Sequence, residues 1–123
     1  MSFLQAKPSY LAKTADYTVT TNDGDFVVIT VDATAGSKTV TFYASAANTG
    51  KRIGVKKIDS SANTVTLDGN ASETLDGALT QVLSAQYDTQ TYVSDGTNWH
   101  RVSQTGATAT DSDQNILSNQ VFS

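Results

Sequence analysis

His100 is the one histidine in the 123-residue chain, and it stands between Trp99 and Arg101. A general base needs a nucleophile or an orienting carboxylate beside it, and the chain has no cysteine and no recognisable serine motif. In a strand, His100 points away from both neighbours, so the local sequence builds no relay. Asp68, Glu73 and Asp76 are the best carboxylates for glycoside hydrolysis, which takes two acidic groups roughly 5–9.5 Å apart. Asp68 and Asp76 each precede glycine, however, and Asp-Gly is a turn dipeptide first. Asn22, Asp23 and Asp25 offer oxygens to a hard cation such as calcium, without the spacing or closing glutamate of a hand-type loop. Lys51, Arg52, Lys56 and Lys57 form one basic patch, read as a solvated strand face or as salt-bridge partners. The expectation is a chain with no catalytic, cofactor-binding or metal-binding residues, built for binding or assembly.

The elements that would position such groups are strands. Of the 12 acidic residues 11 are Asp, with Glu73 the single Glu, and Thr and Ser are abundant. Helix formers are therefore scarce and turn or strand formers plentiful. A net charge of −4 argues against a nucleic-acid surface, which needs a clustered positive field. No window approaches the roughly 18 continuous apolar residues of a membrane span, and residues 1–9 carry no apolar core of a secretory signal. Without cysteine, disulfides and thiolate sites are excluded.

Short apolar runs recur with a turn every 8–12 residues or so, the spacing of a sandwich or barrel. Residues 26–31 (Phe-Val-Val-Ile-Thr-Val) are apolar on both faces, which predicts a central strand covered on both sides. Residues 59–63 (Asp-Ser-Ser-Ala-Asn) read as the polar loop of the clearest hairpin, joining a strand through Ile53 and Ile58 to one through Val65 and Leu67. The expected fold is all-β: a compact antiparallel sandwich or barrel of about nine short strands at residues 16–103. An extended N-terminal arm occupies residues 1–15, where Pro8 disfavours helix at Lys7. A short C-terminal tail occupies residues 104–123, where Asp113 is placed to cap one helical turn bearing Leu117 and Val121.

Several runs resemble a small β-module of tailed bacteriophages that recurs in tail fibres, head fibres and capsid-decorating proteins. They are Asp16-Tyr17-Thr18-Val19-Thr20, the stretch from Lys56-Lys57-Ile58-Asp59-Ser60-Ser61-Ala62-Asn63 to Leu67, Glu73-Thr74-Leu75-Asp76-Gly77, Ser84-Ala85-Gln86-Tyr87, and Val93-Ser94-Asp95-Gly96-Thr97-Asn98-Trp99. The likeness covers residues 14–102. One departure is Phe42-Tyr43, where related modules often carry Leu-Pro. The resemblance implies a non-enzymatic virion structural protein, often a homotrimer, assembled in the host cytoplasm and exposed on the virion surface.

Two roles follow as expectations. The first is capsid decoration, with the major capsid protein or another virion protein as partner; it ranks first because the module fills most of the chain. Docking to capsid or to neighbouring subunits would fall to Phe3, Leu4, Tyr10 and Leu11 in the arm, or to Ile116, Leu117, Val121 and Phe122 in the tail. The second is a head- or tail-fibre adsorption module binding host glycan through Tyr92, Asn98 and Trp99, by ring stacking and hydrogen bonds to hydroxyls. Phe42, Tyr87, Tyr92 and Trp99 are also candidate anchors of the core or of a subunit interface.

Overall fold

A computed structural model describes residues 7–106, and every run of alternating apolar residues in that span is a strand. In chain order these are β1 (Ser9–Lys13), β2 (Tyr17–Thr18), β3 (Phe26–Val31), β4 (Lys38–Thr41), β5 (Arg52–Lys57), β6 (Val65–Asp68), β7 (Thr80–Leu83), β8 (Thr89–Ser94) and β9 (Trp99–Thr105), with one 3-10 turn at Thr21–Asp23. They form two sheets, β1-β3-β5-β8-β9 and β2-β4-β6-β7. No α-helix occurs among the described residues.

The sheets are mixed, which corrects the expected antiparallel arrangement. β1, β3 and β5 run parallel, as do β2, β4 and β6, while β7, β8 and β9 pair antiparallel. The physical cause lies in the connections. Each of the first three strand pairs, β1–β2, β3–β4 and β5–β6, leaves one sheet and enters the other. Three such arches stack, so their first strands lie parallel in one sheet and their second strands parallel in the other. The expected hairpin at residues 59–63 is the third arch: β5 pairs with β3 and β8, and β6 with β4 and β7. Its polar residues turn the chain between layers instead of reversing it within one.

Apolar side chains from both sheets meet between the layers. Val27, Ile29, Val31, Ile53, Val55 and Tyr92 come from the larger sheet, and Val40, Val65, Leu67 and Leu83 from the smaller; all are buried. β3 is central but covered on one side only: Val27, Ile29 and Val31 are buried, while Phe26, Val28 and Thr30 are half-buried. Two expected boundaries also move. Ser9–Lys13, assigned to the arm, pairs along its whole length with β3, and β9 runs past residue 103 to Thr105.

Candidate functional site

Three connections, residues 42–51, 69–79 and 95–98, converge at one end of the sandwich around Trp99. Asp95 shapes the last of them. Its Oδ1 accepts the backbone N–H groups of Thr97 and Asn98, both at 2.7 Å, and Gly96 takes the positive φ (94°) that the turn requires. Asn98 Oδ1 then accepts the Thr74 N–H at 2.9 Å, and the Trp99 N–H donates to the Thr74 carbonyl at 2.9 Å. The second connection is thereby tied to the start of β9. Glu73 ties in the first: its Oε1 accepts the Ser45 N–H at 2.8 Å and the indole N–H of Trp99 at 3.3 Å.

These partners decide what the carboxylates can do. Glu73 bridges two connections. Asp76 accepts the Arg101 N–H at 2.9 Å and faces its guanidinium at 3.7 Å. Asp68 belongs to β6, opposite Thr41 and Thr80. His100 Nε2 lies 2.6 Å from Asp95 Oδ2 at the exposed rim. Backbone hydrogen bonds from Asn98 and Thr97, and then His100, hold the Asp95 carboxyl down at about 2. That is an ionised turn-former.

The opposite end is organised by Lys57 and Asp59. Lys57 is in phase with Ile53 and Val55, so it points into the sandwich, and its side chain is 0% exposed. All three ammonium hydrogens are used: Nζ donates to Asp59 O (2.8 Å), Asp59 Oδ2 (2.9 Å) and Ser61 O (3.0 Å). Asp59 Oδ1 accepts the Ala33 N–H at 2.7 Å, and the Ser61 hydroxyl and N–H bond to Oδ2. Burial raises the Asp59 pKa, but these hydrogen bonds outweigh it and hold the carboxyl well below the usual carboxylate range. Asn63 Nδ2 donates to Ala33 O at 2.8 Å, locking the third arch onto the second.

The Asn22–Asp25 loop does not gather oxygens around one point. Asp23 Oδ2 accepts the Tyr17 hydroxyl (2.6 Å) and the Thr20 N–H (2.9 Å), while Asp25 faces Lys51 at 3.6 Å. Among the described residues, no group of three or more His, Asp or Glu side chains could hold a metal ion.

Trp99 and Tyr92 are both 0% exposed, which overturns their assignment as glycan-stacking aromatics. Both stack edge-to-face on Phe42, at centroid distances of 5.1 and 5.9 Å, and Tyr43 adds a fourth ring 5.5 Å from Trp99. The Tyr92 hydroxyl donates to Gln90 Oε1 at 2.6 Å. The two rings therefore carry the core reading, and Asn98 spends its side-chain oxygen on Thr74. Of the eight residues expected to dock, Tyr10 is exposed and Leu11 packs against the core. Phe3, Leu4, Ile116, Leu117, Val121 and Phe122 lie outside the described residues.

Sequence reading also missed how alternation divides the basic patch. Lys57 goes inward and Lys51 pairs with Asp25, whereas Arg52 and Lys56 share the outer face of the larger sheet. Their four-residue spacing was the available signal. No protein-family model matches the chain, and no curated protein matches it significantly.

Proposed function

We propose that the chain is a non-enzymatic structural module of a tailed-bacteriophage virion, and that it decorates the capsid as a homotrimer bound to the major capsid protein. One observation carries this reading. The two most specific runs of the resemblance, residues 56–63 and 94–99, hold the fasteners at the two ends of the sandwich, six of whose polar side chains are spent on closing the fold. Lys57, Asp59, Ser61 and Asn63 tie the arches together, while Asp95 and Asn98 fix the connections around Trp99. Such a chain invests its polar groups in persistence, which a particle coat needs and a turnover site does not. A fold held by buried hydrogen bonds without cysteine is also indifferent to redox conditions.

The leading test is the copy number in a virion reconstruction. Copies following the capsid lattice, in trimers, support decoration; a few copies at the tail or at one vertex overturn it in favour of a fibre. Co-sedimentation with undecorated capsids tests the arm. Removal of residues 1–6 should weaken attachment while circular dichroism stays unchanged, and undiminished attachment removes Phe3 and Leu4 from docking.

A further inference from the structure

The larger sheet turns one face to solvent, and its register sets there the outward residues of β1, β3, β5 and β8, none of which is Asp or Glu. In a chain of net charge −4, this is a face of opposite character. Arg52 and Lys56 have no ion pair among the described residues, although four other basic side chains do. Lys56 Nζ instead sits 5.1 Å over the ring of Tyr87, and Lys56 stands beside Thr30 in register. Thr30 in turn shares a 2.9 Å hydrogen bond with the hydroxyl of Tyr10. Tyr10 and Tyr87 are 64% and 57% exposed, the two most exposed large apolar side chains among the described residues.

Tyr10, Thr30, Lys56 and Tyr87 thus make a continuous stripe: two exposed rings bracket a hydroxyl and an ammonium that rests over one of them and has no ion pair among the described residues. The strands that carry Tyr10 and Lys56 are two spacings apart, roughly 10 Å, which is close to the length of a disaccharide. Arg52 supplies a second positive charge about 13 Å along the same face, four residues from Lys56. Exposed rings stack on the apolar faces of sugars, hydroxyls bond their hydroxyls, and the two cations select negative charge. We propose that this stripe binds an anionic polysaccharide, carboxylated or sulfated. A protein partner would sooner seek the half-buried Phe26 and Val28 than two polar-tipped rings held at the rim. The proposal does not depend on where the protein is mounted.

Isothermal titration of the full chain with dextran sulfate and polygalacturonate, against neutral dextran, tests it. Binding to at least one anionic polymer and none to dextran is expected. Tyr10→Ala and Tyr87→Ala should each weaken it about 3–10-fold, and Tyr10→Phe, which keeps the ring, should restore most of the loss. Lys56→Gln should weaken binding and flatten its salt dependence. Tyr10 and Tyr87 are exposed and Lys56 is half-buried, and circular dichroism verifies that each variant folds. Absence of binding overturns the proposal. So does binding that ignores both tyrosines, which is charge attraction alone, and so does equal, tyrosine-dependent binding to poly-glutamate, which points to an acidic protein.

Discussion

Lys57 and Asp59 form an ion pair only two residues apart, Nζ to Oδ2 2.9 Å, with side chains 0% and 4% exposed. The pair sits where β5 leaves the larger sheet for the smaller. A buried ammonium is costly unless every hydrogen finds an acceptor, and here two backbone carbonyls and one carboxylate supply all three. The same carboxylate holds the Ala33 N–H of the preceding arch. One carboxylate therefore closes one arch through Lys57 and ties it to the arch before it through Ala33.

Removing the cation alone should be severe. Lys57→Met leaves the Asp59 carboxylate buried and unpaired, so a loss of about 3–5 kcal/mol is expected, read as a large fall in the denaturation midpoint at constant slope. The double variant Lys57→Met/Asp59→Asn should be more stable than the sum of the two single losses, because the uncompensated charge is gone. Strict additivity would mean that the two groups do not act as a pair.

Acid should expose the same contact. The folded Asp59 pKa is depressed below the ordinary 3.8, so its contribution is complete above that value and is lost as pH falls through the folded pKa. Stability should hold down to about pH 4 and decline below it. In Asp59→Asn that acid decline should be shallower, with a residual slope from Asp95, whose carboxyl is held at about 2. Urea midpoints at pH 2–7 measure this, and an unchanged acid slope in the variant would sink the assignment.

Glu73 can be probed through Trp99, the only tryptophan. Glu73→Ala strips acceptors from the Ser45 N–H and the indole N–H, and each donor left without a partner costs about 1–3 kcal/mol. Glu73→Gln keeps one oxygen and should cost less. Indole emission should shift to the red in the alanine variant, as the connections around the ring loosen, and stay near wild type in the glutamine variant. Equal shifts in both would show that the charge of Glu73 matters rather than its oxygen.

From residue 16 onward strand existence was legible because alternation is local, whereas β1 reads as part of an arm; strand partnership was not legible. Residues 59–63 have the same turn chemistry whether the chain reverses within a sheet or crosses between sheets. What decides is distant pairing, such as Val27 with Ile53, 26 positions apart. The phase of Lys57 was legible, since 53, 55 and 57 alternate with 54 and 56, yet a run of lysines reads as surface until the acceptors of residues 59 and 61 are placed. Trp99 and Tyr92 show the reverse case: as core anchors they were readable from the sequence. Their unsuitability for sugar stacking was not, because exposure depends on Phe42 and Tyr43 from another part of the chain. Tyr10 and Tyr87 fell out of the glycan reading because nothing in their neighbourhood marks them as open; only the edge position of β1 and the turn before β8 do.

The connection between β6 and β7 offers a pair of substitutions with opposite signs. A Cβ on Gly69 would stand 2.3 Å from the backbone carbonyl oxygen of Glu73, an atom that cannot swing aside. Gly69→Ala must therefore push the connection that carries Glu73 away from β6, at a cost of about 1–3 kcal/mol, and should disturb Trp99 emission as well. Two residues on, Ala71 is exposed and holds a φ of 52°, a conformation costing roughly 1–2 kcal/mol for a residue with a Cβ. Ala71→Gly removes that strain while adding some unfolded-chain entropy, for a net gain of about 0.5–1 kcal/mol. Thermal unfolding should move down for the first variant and up for the second. Two shifts of the same sign would mean that the path of this connection is not set by the close approach at Gly69.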